Sequence, residues 1–114
     1  MIDAYRFGKI VIDGRVYTKD VIILGKEVFH PWWRKEGHKV FPEDLTWAIE
    51  HGAKAFVFGT GFYGIVKITE ETKRFLQENN IPYKPLKTGN AVKEYQQMEE
   101  EERMETAFCL HLTC

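Results

Sequence analysis

The chain has 114 residues, a formal net charge of −1 and a sequence pI of about 6.4. That length gives one compact domain, residues 1–114, and the balanced charge excludes broad electrostatic capture of nucleic acid or acidic membrane, which needs an excess of basic groups. A hydrophobic fraction of 44%, with three Trp, five Tyr and eight Phe, supplies a core and excludes a disordered chain.

The first third reads as β structure. Residues 4–12 alternate loosely and end at Asp13-Gly14, a hairpin signal, with Arg15-Val16-Tyr17-Thr18 as the return strand. A second extended run covers 20–24 and closes at Gly25, and Val28-Phe29-His30 adds a short edge strand. Residues 30–39 have no period and are bracketed by Pro31 and Gly37, so they form a loop.

A helix begins at Pro42-Glu43-Asp44, with proline in its first turn and acids at the positive end of its dipole. Leu45, Ala48 and Ile49 give it an apolar stripe, and Gly52 suits a left-handed cap. The run 53–58 is a strand buried on both faces, and it breaks into Gly59-Thr60-Gly61-Phe62-Tyr63-Gly64. Ile65 to Ile68 is extended. Thr69 caps a second helix that runs to about Asn80 and buries Phe75 and Leu76. Residues 81–86 form a strand whose two prolines confine it to an edge. Thr88 caps a third helix with Ala91, Val92, Tyr95 and Met98 on one stripe, and 106–112 is a final strand. Strands alternating with helices imply a partly parallel sheet covered by helices. The predicted fold is a single α/β domain of three layers, with a central mixed β-sheet and an N-terminal antiparallel β-hairpin.

The glycine run has the spacing G-x-G-x-x-G. A dinucleotide fingerprint requires a helix to start at the loop and an acid about 20 residues further on. Here the next helix signal is Thr69, and Pro82 to Thr88 contains no acid. What remains is either a structural turn or a pocket for another small or anionic ligand. In the second case Gly59, Thr60 and Gly61 offer amides as an anion cradle. Tyr63 is then a lid or proton donor, Thr88 adds amides at a helix start, and Arg34 or Arg103 supplies counter-charge.

His30 to Lys39 is the most basic stretch. Trp32, Trp33, Arg34 and Lys35 read either as core plugs beside solvated cations or as a protein-contact surface. Cys109 and His111 share a strand face, with Cys114 on the other. Two ligands are too few for a structural zinc site, and His30, His38 and His51 cannot be placed beside them, so no metal is expected. Four glutamates, 99–102, fall at the end of the third helix and are solvated, with Arg103 positioned to bond the last carbonyls. No catalytic residue and no cofactor is indicated. Two cysteines give no disulfide framework, and the N-terminus lacks the apolar run of a signal peptide. No segment approaches the ~20 apolar residues that span a bilayer. Cytoplasmic localisation is expected.

With strand 53–58, Gly59-Thr60-Gly61, Thr88-x-x-Ala91-x-x-x-Tyr95, Arg103, Trp33-Arg34 and His111-x-Thr113-Cys114 in this order, the whole chain resembles a known family. It is similar to the adipogenesis-associated "Mth-type" domain family of unknown function, which includes the mitochondrial complex I assembly factor 3. Gln96 and Glu102 depart from its pattern, where asparagine and glycine are expected. The resemblance implies a three-layer α/β fold with a mixed sheet and no established activity. Its mitochondrial member is thought to act by binding partners, and that member's targeting presequence is missing here. The chain therefore reads as a small non-enzymatic binding or assembly module with a protein partner, and no nucleic acid or membrane. The alternative is an anionic-ligand binder or enzyme using the loop Gly59–Gly64.

Overall fold

The computed structural model describes all 114 residues. Ten strands and four helices follow one another: β1 Ile2–Arg6, β2 Lys9–Ile12, β3 Arg15–Tyr17, β4 Val21–Leu24, β5 Glu27–Phe29 and β6 Lys39–Val40. A 3₁₀ turn, Pro42–Leu45, leads into α1 Thr46–Glu50; then come β7 Ala55–Gly59, β8 Lys67–Ile68, α2 Glu70–Glu78, β9 Tyr83–Leu86, α3 Thr88–Gln97, α4 Glu100–Arg103 and β10 Thr106–Leu110.

The centre is a five-stranded mixed sheet in the order β5-β4-β10-β7-β9. β10 pairs antiparallel to β4 and parallel to β7, which pairs parallel to β9. Both faces of its middle strands are buried because their side chains alternate between two apolar layers. Ile22, Leu24, Phe56, Phe58, Ala107 and Cys109 pack on one face with Leu45, Ala48 and Leu76. Val21, Ile23, Val57, Phe108 and Leu110 pack on the other with Ile2, Ile10, Ala91 and Tyr95. One outer layer is thus α1 and α2 with the small parallel ladder β6-β8. The opposite layer is α3 with the antiparallel sheet β1-β2-β3. The expected three-layer α/β arrangement holds. The prolines keep β9 at the edge, and β5 ends the sheet on the other side.

Four readings need correction. Residues 4–12 are two strands, because Phe7-Gly8 turns the chain, with Gly8 at φ +79°. The N-terminal unit is therefore a three-stranded meander. Thr88 is not a cap: Lys87 is the N-cap of α3, and the Thr88 hydroxyl bridges two other elements. α3 stops at Gln97, where Met98 turns extended, and the glutamates belong to the start of α4, where their charge suits the dipole. Arg103 does bond carbonyls of α3, through Nε to Tyr95 O at 2.8 Å and Nη2 to Gln96 O at 3.4 Å.

Candidate functional site

The register of the central sheet creates the site. Val21, Leu110, Gly59 and Leu86 are paired in one row across four strands. The residues flanking this row, Asp20 before antiparallel β4 and His111, Thr60 and Lys87 after the three parallel strands, emerge together beyond it. Carboxyl ends of parallel strands are where open α/β sheets bind ligands.

Asp20 organises one half of that end. Its Oδ1 accepts the Leu112 amide at 2.9 Å. Its Oδ2 lies 2.6 Å from His111 Nδ1 and 2.8 Å from Arg34 Nη2. The Asp20 backbone carbonyl accepts the Trp32 amide at 2.8 Å, which brings the loop 30–38 onto the strand end. Burial pushes the Asp20 carboxyl up. Hydrogen bonds from His111 and the Leu112 amide, with the charges of His111 and Arg34, outweigh it and hold the acid below the ordinary carboxylate range. An ionised Asp20 only accepts, so His111 Nδ1–H is the donor in this contact, and Nε2 is the ring nitrogen turned away from the carboxylate. The 3.1 Å contact between His111 Nδ1 and Arg34 Nη2 is then two donors converging on one carboxylate.

Arg34 corrects one reading of the basic stretch. It is not solvated: only 5% of its side chain is exposed. The guanidinium lies over the Trp32 ring, 4.6 Å from its centroid, and its Nε and Nη2 donate to Gly37 O at 3.1 and 2.8 Å. Nη1 is buried without a protein partner. Trp32 plugs the core at 3% exposure and donates Nε1–H to Asp44 O at 2.9 Å. Trp33 turns outward and is 73% exposed, and Lys35 is exposed beside Glu43. Around this point Asp20, Trp33, Arg34, His38, His111 and Thr113 line a cleft of about 290 Å³.

The glycine loop forms the other half, and its amides are committed. Thr60 N donates to Leu86 O, Gly61 N to Thr88 Oγ1, Phe62 N to Thr113 O, Tyr63 N and Ile65 N to Cys114 O, and Gly64 N to Gly61 O. Thr60 Oγ1 donates to Leu86 O and Thr88 Oγ1 donates to His111 O. The free amides expected of an anion cradle are therefore used inside the chain. The glycines serve close backbone crossing instead. A Cβ on Gly61, at φ +111°, would stand 2.3 Å from the Cys114 carbonyl carbon, and one on Gly59 would stand 2.9 Å from Thr88 Oγ1. Arg103 is not near this loop. It precedes β10, whereas the loop meets the far end of that strand, about 15 Å away at the usual rise per residue.

Tyr63 is exposed, but as part of a cluster rather than as a lid. Its ring lies 5.0 Å from Phe62 and 6.3 Å from Phe7, and Phe62 lies 5.8 Å from Phe7. All three rings, and Ile65 beyond them, are exposed. Cys109 is fully buried in the core, and burial pushes its thiol well up despite the opposing charge of Arg34. His38, read as unplaceable, does reach this end: its ring centroid is 5.9 Å from that of His111, and ligand atoms of His38, His111 and Cys114 lie within 4.8 Å of one another. Asp20 and Phe7 are the residues that sequence reasoning missed, and for His38 and Phe62 it missed the neighbours they meet. Asp20 carried one available signal: it is an acid directly preceding a run of four apolar residues.

These features define a single-domain mixed α/β protein with a polar cleft and an aromatic surface at one end of its sheet. The family profile described as "protein of unknown function (DUF498/DUF598)" matches residues 2–111, and the chain belongs to that family. The resemblance to a family of unknown function is thus borne out. Solved structures share the fold across nearly the whole chain. A conserved hypothetical protein, PH1505 of Pyrococcus horikoshii, is 23% identical, with 100% of this chain and 99% of that one covered and a TM-score of 0.72. A Bartonella henselae protein described as an outer membrane protein is 23% identical, with 99% and 94% covered and a TM-score of 0.80. The Rpa2829 protein of Rhodopseudomonas palustris is 22% identical, with 97% and 82% covered and a TM-score of 0.77. No helix of this chain is long and apolar enough to cross a membrane.

Proposed function

We propose that this protein is a binding module that recognises a partner protein through the aromatic end of its sheet. The exposed Phe7–Phe62–Tyr63 cluster carries the reading. Aromatic side chains exposed in contact with one another leave apolar surface in water, and such patches on a small domain mark contact sites. Trp33 extends the surface across Thr113, which lines the cleft beside Trp33 and whose carbonyl accepts the Phe62 amide. The buried Trp32 and Arg34 on either side hold the Trp33 backbone, so little ordering cost falls on binding. The rim is basic: Lys19, Lys67 and Lys87 have no carboxylate within ion-pair distance, whereas Glu99 to Glu102 lie at the opposite end of β10. The partner segment therefore carries apolar anchors flanked by acidic residues.

Selection from a random linear peptide library on the immobilised chain tests this. Enriched sequences should be aromatic and acidic, and Phe62→Ala/Tyr63→Ala should lose them while keeping its circular dichroism and melting temperature. A library that yields no consensus, or a consensus bound equally by the double variant, contradicts the proposal.

A further inference from the structure

We propose that His38, His111 and Cys114 form a binding site for a borderline-soft divalent transition metal, with Zn²⁺ as the ion the donor set suits best. The inference goes beyond partner recognition and does not depend on it.

The donors come from three separate places in the fold. His111 follows β10, His38 precedes β6, and Cys114 lies in the crossing with the glycine loop. Yet their ligand atoms lie within 4.8 Å of one another. His111 is already oriented as a ligand. Its Nδ1–H donates to Asp20 Oδ2 at 2.6 Å, which presents the Nε2 lone pair. A carboxylate holding the far nitrogen of a histidine is the usual outer partner in metal sites: it fixes the tautomer and raises ligand basicity. Arg34 stands on the Nδ1 side of the ring, and its charge is offset by the same carboxylate.

Tetrahedral zinc, with bonds of about 2.0–2.1 Å to nitrogen and 2.3 Å to sulfur, places donor atoms about 3.3–3.6 Å apart. Closing from 4.8 Å needs a shift of about 1 Å, and the two outer ligands are placed to supply it. His38 is exposed, so its ring is free to swing, while its carbonyl is pinned by the Lys67 amide at 2.9 Å. Cys114 is half-buried, and its carbonyl holds the Tyr63 amide at 3.0 Å. Thr113 Oγ1, 3.3 Å from His111 Nε2, occupies that lone pair without metal and rotates away when the ion binds. Two imidazoles and one thiolate favour zinc-like ions over Mg²⁺ or Ca²⁺, which want oxygen. Coordination deprotonates the Cys114 thiol, and the proton goes to solvent. Three protein ligands leave the fourth position open to water in the cleft. Cys109 takes no part, because it is sealed in the core.

The test is Co²⁺ titration of the untagged, chelator-stripped full chain, followed by Zn²⁺ displacement. One equivalent of Co²⁺ should produce a thiolate charge-transfer band and tetrahedral d–d bands, both erased by Zn²⁺. Cys114→Ser should abolish the charge-transfer band. His38→Ala should weaken Co²⁺ binding by at least about tenfold, the loss that even an outer partner produces. Both residues are solvent-accessible, so both variants should keep the circular dichroism of the parent. Absence of the charge-transfer band, binding without stoichiometry, or equal affinity in the parent and both variants overturns the proposal.

Discussion

Asp20 Oδ2 and Arg34 Nη2 lie 2.8 Å apart, with 15% and 5% of their side chains exposed. This buried pair joins the loop 30–38 to the start of β4, and through His111 to the end of β10. Removing one partner strands the other charge without solvent, which costs about 3–5 kcal/mol. Asp20→Ala should therefore lower the free energy of unfolding by about that amount in urea titrations. Lys35→Ala breaks the exposed contact to Glu43 at 3.4 Å and the placement of Nζ over the Phe41 ring at 4.9 Å, and should change it by less than about 1 kcal/mol.

The same carboxylate gives a pH dependence with a definite sign. Asp20 is held below its ordinary range in the fold, while the unfolded chain restores about 3.9. The folded protein thus binds this proton less readily, and the stabilisation is fully present above that value. It is lost as pH falls through the folded value. Unfolding free energies from pH 7 down to the acid limit should fall more steeply for the parent than for Asp20→Asn. Parallel profiles would refute the assignment.

The central strands were legible because their signal is local. Residues 21–24, 55–58 and 107–110 are apolar at successive positions on both faces, and only a doubly covered sheet uses such runs; Lys54, inside the expected run 53–58, stays outside the strand and exposed beside Glu105. The cap at Thr69 was equally readable, since its hydroxyl accepts the Thr72 amide three residues on. The site was not. Asp20 and His111 are 91 positions apart, and nothing before pairing β4 with β10 relates them. The outward Trp33 and inward Arg34 were likewise hidden, because both directions suit a polar loop until Asp20 is placed beside it. The glycine run reads in sequence either as a structural turn or as room for a ligand, and its glycines make room for the backbone of residues 113–114.

That crossing predicts a contrast between two glycines. Gly61→Ala puts a side chain at φ +111° and against the Cys114 carbonyl, so it combines backbone strain with displacement of residues 113–114. It should destabilise by about 2 kcal/mol or more. Gly89 lies in α3 with open space at its Cβ position, and Gly89→Ala should be neutral or stabilising by up to about 1 kcal/mol. Thermal unfolding of the two variants separates them.

Thiol chemistry should separate the two cysteines. Cys109 is fully buried and its thiol is pushed well up, whereas Cys114 is half-buried. In the metal-free folded chain at neutral pH, an alkylating reagent should modify Cys114 alone, and both should react in denaturant. Peptide mapping after a short pulse reads the result; early modification of Cys109 would contradict the packing described.

The proposed recognition surface is tested most directly by the affinity of a library-selected peptide for the parent and for Tyr63→Ala, measured by calorimetry. A central aromatic anchor is worth about 2 kcal/mol or more, which is a loss of about thirtyfold in Kd. The account predicts that loss with an unchanged melting temperature; equal affinity for the two proteins would contradict it.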